Sequence, residues 1–113
     1  MAEGESKLVR LCDASEVPAG TIKRVTIDGM PPLAVYRIDD GFFITDDTCT
    51  HGHASLSEGV IDGDMVECSL HAGCFSIRTG EPLAFPAAIP IRTYPARVVG
   101  DDIFVALPEG DTE

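Results

Sequence analysis

The sequence predicts an all-β fold, a small sandwich or barrel. Three observations carry that expectation. Apolar residues run in short segments, Gly, Pro and Asp punctuate them, and nowhere do apolar residues recur at helical spacing over three turns. The expected strands are 7–12, 21–27, 33–38, 41–45, 64–67, 74–78, 96–99 and 103–107. Asp39-Asp40-Gly41 and Gly100-Asp101-Asp102 each join two apolar runs as a hairpin turn would. Residues 60–67 read as a further hairpin. Ala14, Ser15, Glu16 and Val17 can make one helical turn capped by Asp13, and no more.

A chain of 113 residues suits one domain, 1–113, and 44% apolar residues allow a real core. There is no Trp, so Val, Ile, Leu, Ala and five Phe must fill it. Nineteen acidic against 8 basic side chains give a formal charge of −11. Such a surface repels phosphate backbones and argues against nucleic acid. It either keeps the chain soluble or speeds encounter with a partner carrying a basic patch. The first residues lack a basic region followed by an apolar run, and no stretch approaches the roughly 20 apolar residues that span a membrane. A cytoplasmic location is expected. Four cysteines in a reducing compartment are then ligands or core residues before they are disulfides.

Three segments break the strand pattern: 46–58, polar and rich in Gly, Ser, Thr and His; 69–73; and 82–90, interrupted by three prolines. Elaborate loops between strands of a small β domain carry function. The first presents Cys49-Thr50-His51 and the second Cys68-Ser69-Leu70-His71, with sixteen residues between His51 and Cys68. The 60–67 hairpin would set the two loops side by side, so that four soft or borderline ligands converge. Two thiolates and two imidazoles can hold zinc tetrahedrally in a closed structural site. They can also hold a two-iron cluster, with both cysteines on one iron and both histidines on the other. Zinc sites usually pair like ligands at each knuckle, whereas each loop here mixes them. A cluster of two chemically different irons needs one ligand of each kind from each loop.

These residues resemble the Rieske [2Fe–2S] family, whose signature is Cys-x-His, a gap, then Cys-x-x-His. Here it reads CTH, sixteen residues, CSLH. His71-Ala72-Gly73-Cys74-Phe75 with Arg78-Thr79-Gly80 continues the likeness. So do Thr93-Tyr94-Pro95 before the last hairpin, and Cys12-Asp13 with Val17-Pro18-Ala19-Gly20 near the start. The resemblance is closest to ferredoxins serving bacterial aromatic-ring dioxygenases. It implies an antiparallel β-sandwich with a small cluster-binding subdomain, about 46–90, built from two loops and a Pro-rich covering loop. It also implies one [2Fe–2S] cluster on Cys49, His51, Cys68 and His71. In it the imidazole edges of His51 and His71 are exposed at the tip, and Gly52 and Gly73 let the backbone approach the cluster. High-potential members of the family carry two further cysteines, at the positions of Ala54 and Leu70, and hydroxyls at the positions of Gly73 and Phe75. The absence of both places the expected potential low in the roughly −150 to +300 mV Rieske range.

The resulting expectation is a one-electron carrier, not an enzyme. It would pass electrons from an NADH-dependent flavin reductase to a terminal Rieske non-haem iron oxygenase in aromatic compound degradation. Docking would be transient, at the cluster tip, and the carrier a monomer. A Rieske small subunit fixed in a larger enzyme, as in a nitrite reductase, is the alternative, and a zinc-stabilised binding module a third reading. Among the remaining candidates, His53 reads as a solvent-exposed neighbour and Cys12 as packing at a strand end. Cys74 lies beside the second loop but off the ligand positions. Asp46 and Asp47 read as setting the turn into the first loop and adding to the negative surface.

Overall fold

A computed structural model describes residues 6–38, 41–48, 54–68, 73–84 and 89–108. The described residues form eleven strands and two short 3-10 turns. The strands are β1 (Ser6–Asp13), β2 (Ile22–Val25), β3 (Leu33–Ile38), β4 (Gly41–Asp46), β5 (Val60–Asp62), β6 (Met65–Glu67), β7 (Cys74–Ser76), β8 (Pro82–Ala84), β9 (Thr93–Tyr94), β10 (Ala96–Val99) and β11 (Asp102–Pro108). They make three antiparallel sheets in the orders β1-β11-β10, β2-β3-β4-β9 and β5-β6-β7-β8. The all-β expectation holds, and the turn after β1 is the one expected. Asp13 Oδ1 accepts the Ser15 N–H at 2.9 Å, and Glu16 reaches back to the Asp13 N–H at 3.1 Å, a capping box.

β3 organises the molecule. Its run Leu-Ala-Val-Tyr-Arg-Ile is buried at every position but Arg37, as a strand covered on both faces requires. Alternation splits it between two cores. Leu33 and Val35 face a core with Cys12, Val17, Ile44, Ile103 and Val105, shared with β1 and β11. Ala34, Tyr36 and Ile38 face a second core with Ala54, Leu56, Val66, Cys68, Phe75 and Ile77. The first core closes a terminal sandwich that holds the strands nearest both chain ends. The second seats a lobe, β5 to β8, on the other face of the central sheet. Burying a side chain such as Phe75 or Leu56 completely stabilises the fold by roughly 1.5–3 kcal/mol each.

The structure differs from the sequence reading at strand ends. The strand expected at 21–27 starts at Ile22, because the Thr21 N–H and hydroxyl both donate to the Pro18 carbonyl in a turn. The strand expected at 74–78 ends at Ser76. There the Ile77 N–H leaves the ladder for the Asp64 carbonyl at 2.8 Å, and the Thr79 N–H takes Ser76 Oγ. Conversely, β8 lies inside the stretch read as a loop, and its Pro82 is tolerated on an edge strand. β3 and β4 pair down to Ile38 and Gly41, so the expected hairpin exists; residues 39 and 40 lie outside the described residues.

Candidate metal centre

Of the four expected ligands, Cys68 is described. Cys49, His51 and His71 lie outside the described residues, as do Gly52, His53 and Leu70. The described residues define the base of each ligand loop and how the two bases meet.

The first loop leaves the end of β4. Thr45 is wholly buried and donates its hydroxyl to the Asp46 carbonyl at 2.7 Å. Its lone pairs are then left to accept from the Tyr36 hydroxyl, 2.8 Å away. Asp46 accepts the Tyr94 hydroxyl at 2.6 Å through Oδ1, and its N–H donates to the Arg92 carbonyl. Burial, and then the Asp46 carboxylate, push the Tyr94 hydroxyl up to about 12. Asp47 follows, 0% exposed. Its N–H donates to the Pro32 carbonyl at 2.9 Å, its carbonyl accepts the Leu56 N–H at 2.6 Å, and Oδ1 accepts the Ser57 N–H at 2.8 Å. Oδ2 faces Arg24 Nε at 3.3 Å in an ion pair, and no described group hydrogen-bonds it. Thr48 and Ser55 then form an antiparallel bridge that closes the loop base. Asp47 thus sets the turn, as expected, but it does not add to the negative surface. Its carboxylate is turned inward onto the Ser57 amide and Arg24.

The chain returns through Ala54, buried in the lobe core, and a 3-10 turn, Leu56–Glu58. A Cβ on Gly59 would collide with the Glu67 carbonyl, so only glycine lets the end of the first loop pass this close to the strand that delivers Cys68. β5 and β6 form the expected hairpin, turned by Gly63 at φ 64°, and Val60 pairs with Glu67. Cys68 comes next, 2% exposed. Its N–H donates to the Gly73 carbonyl at 2.7 Å, which pinches the base of the second loop. The two loop bases therefore abut, with Ala54 from one and Cys68 from the other in a single apolar core.

Gly73 and Phe75 offer no hydroxyl, and Phe75 is wholly buried in the core that contains Cys68. Cys74 points to the opposite face of β7, partly exposed, level with Glu67. Burial, then Glu67 and Asp62, push its thiol up. Cys12 packs in the terminal sandwich, where burial raises its thiol. Around the lobe Glu58, Asp62, Asp64, Glu67 and Glu81 are exposed, and Arg78 is the cation within 54–84. Val60 on β5 and Leu83 on β8 expose apolar side chains in the same lobe. The sulfur of Cys68, at a loop mouth in apolar surroundings, is a donor suited to soft metal chemistry with restricted water access. The contacts of Asp47 and Arg24 escaped the sequence, where 23 positions separate them and no periodicity links them.

The sequence model of the Rieske [2Fe-2S] domain matches residues 7–95. The chain is 47% identical over 98 residues to ferredoxin CarAc of Metapseudomonas resinovorans, covering 87% of this chain and 92% of that one. It is 44% identical over 99 residues to the 3-phenylpropionate/cinnamic acid dioxygenase ferredoxin subunit of Escherichia coli K12, with coverages of 87% and 92%. Among solved structures, it superposes with TM-score 0.84 and 45% identity on a chain of the complex of reduced oxygenase and oxidized ferredoxin in carbazole 1,9a-dioxygenase. That match covers 90% of this chain and 95% of that one.

Proposed function

This chain belongs to the Rieske [2Fe–2S] family, and from that premise we propose that it is the electron-carrying ferredoxin of an aromatic-ring dioxygenase system. It takes electrons from an NADH-dependent flavoprotein reductase and delivers them to a terminal Rieske non-haem iron oxygenase. The observation that carries this reading is the 47% identity to ferredoxin CarAc over 92% of that protein's length. Relatives at this identity that are ferredoxin components favour a free carrier over a subunit fixed in a larger enzyme.

In this reading Cys49 and Cys68 hold one iron and His51 and His71 the other, and 46–90 forms the cluster-binding part of a single domain, 1–113. When bound, a Rieske cluster supplies a site for one electron at a time. The protein's own residues set the conditions. Ala54, Leu56, Phe75 and Cys68 keep the cysteine side apolar. Gly73 and Phe75 withhold hydroxyl donors, which leaves the reduced state without extra hydrogen bonds and holds the potential low. No described helix is long and apolar enough to cross a membrane. A monomeric cytoplasmic shuttle, exposing its tip to two partners in turn, fits the reading.

Low-temperature EPR before and after dithionite tests it. A signal on reduction, with average g below that of all-cysteine [2Fe–2S] centres, is expected. Silence in both states with zinc bound would replace the carrier by a structural module. The exposed acids of the lobe imply steering toward a basic partner. Reduction by the partner reductase is therefore expected to slow as ionic strength rises in stopped-flow measurements. A salt-independent second-order rate would refute steering.

A further inference from the structure

Asp47 is a charged residue that the ligand set leaves unexplained. It is wholly buried, two positions before Cys49. Keeping a carboxylate out of water is costly unless hydrogen bonds and a counter-charge offset it. Asp47 obtains both, and all its contacts bear on the first ligand loop. Its N–H fixes the loop entry to Pro32 at the start of β3, its carbonyl takes the Leu56 N–H, and Oδ1 takes the Ser57 N–H on the return side. Oδ2 is held against Arg24, whose side chain is 53% exposed on β2. One residue thus ties the entry and the exit of the loop together and to the central sheet. The Thr48–Ser55 bridge repeats the closure one step further out.

We propose that Asp47, oriented by Arg24, is a positioning residue for the cluster: it fastens the entry of the first ligand loop to its return at Leu56 and Ser57, independently of iron. The inference rests on the ligand assignment above. A loop already closed loses less conformational freedom when it takes up metal, and partners behind metal ligands hold their orientation. The carboxylate acts through hydrogen-bond geometry, which an amide can partly reproduce and a methyl group cannot.

The test compares wild type, Asp47→Ala, Asp47→Asn and Arg24→Gln. The readouts are iron per chain, cluster lifetime under chelator challenge, reduced-state EPR line shape, and melting temperature with and without cluster. Asp47→Ala is expected to lose its cluster about tenfold faster and to broaden the EPR features. Asp47→Asn, whose side-chain oxygen still accepts the Ser57 N–H, is expected to stay within about threefold of wild type, its line shape unbroadened. A merely structural role would lower the melting temperatures of loaded and cluster-free Asp47→Ala alike and leave lifetime and line shape at wild-type values. That result overturns the proposal, as does an Asp47→Asn variant that loses its cluster as fast as Asp47→Ala. If Asp47→Ala fails to fold, Arg24→Gln decides, since it changes an exposed side chain and keeps all three hydrogen bonds of Asp47. It is expected to shorten the lifetime about threefold at an unchanged cluster-free melting temperature, and a wild-type lifetime overturns the proposal. A wild type without iron overturns the ligand reading and this inference with it; an iron-loaded wild type with indifferent variants overturns the inference alone.

Discussion

In the terminal sandwich, β1 and β11 pair over seven residue couples, from Ser6 with Pro108 to Asp13 with Asp102. In the lobe that carries Cys68, β5 to β8 are each three residues long. The two regions share the central sheet but rest on different supports. The sandwich closes around a core supplied by long strands on both sides. The lobe closes around Phe75, Val66 and Leu56, and its loop bases are fastened by a few contacts: Asp47 to Leu56 and Ser57, Thr48 to Ser55, Cys68 to Gly73. Short strands joined by loops have little cooperative stability of their own. The difference predicts that the sandwich, as a platform, holds without metal, while the lobe, if it carries the proposed ligands, draws part of its order from the bound cluster.

The sharpest way to break that contrast is to remove a proposed ligand. Cys68→Ser is expected to abolish the reduced-state EPR signal. In that protein, amides of β1, β3 and β11 should keep wild-type hydrogen exchange, while those of β5 to β8 exchange at least about tenfold faster. Equal protection in both regions would show that the lobe supports itself. Core truncation gives the next largest effect. Phe75→Ala is expected to cost about 3–5 kcal/mol by denaturant unfolding and to release the cluster. Val105→Ala, equally buried in the other core, should cost about 2 kcal/mol for two lost methyl groups and leave the cluster's spectrum unchanged. A spectrum altered as much by Val105→Ala as by Phe75→Ala would mean that the two cores act as one.

Much of this division was legible in the sequence. The short apolar runs of Leu33 to Ile38 and of Ile103 to Leu107 mark strands directly, and Asp13 with Glu16 announces the first turn. The paired Cys-x-His and Cys-x-x-His elements mark the lobe. What escaped depends on partners distant in the chain. β9 is two residues long and exists because Thr93 and Tyr94 meet Thr45 and Ile44. β8 begins with proline and is a strand because β7 offers it an edge. Asp47 looks like one more surface acid until Arg24 and Ser57 are placed beside it. Local pattern reports which way a side chain alternates, whereas burial of a charge is decided by what the fold brings opposite.

A smaller effect separates tuning from support within the lobe. Gly73→Ser with Phe75→Tyr adds hydroxyls where high-potential relatives carry them. Each hydrogen bond gained by the reduced state, at about 1 kcal/mol, corresponds to about 40 mV for one electron. Protein-film voltammetry is therefore expected to show a rise of tens of millivolts at an unchanged melting temperature. An unchanged potential would mean that the lobe's apolar packing, and not its missing donors, sets the value.

The smallest expected effect lies at the joint between the two regions. Tyr94 on β9 donates to Asp46 at the root of the first loop. Burial, followed by the adjacent carboxylate, raises its hydroxyl from 10.0 to about 12. A raised value means that the folded state holds the proton more tightly than the unfolded chain. The stabilisation is then complete below pH 10.0 and disappears as pH climbs through about 12. Tyr94→Phe removes that term together with the hydrogen bond. The variant is therefore expected to be slightly less stable than wild type at neutral pH, and the gap should narrow between pH 10 and 12, as read by urea unfolding of cluster-free protein. Tyr36, raised further by burial, is present in both proteins and cancels in the difference. A gap that stays constant across that window would show that the Tyr94 proton is not held by Asp46. The first ligand loop would then be fastened to the platform through Asp47 and its neighbours, without a contribution from β9.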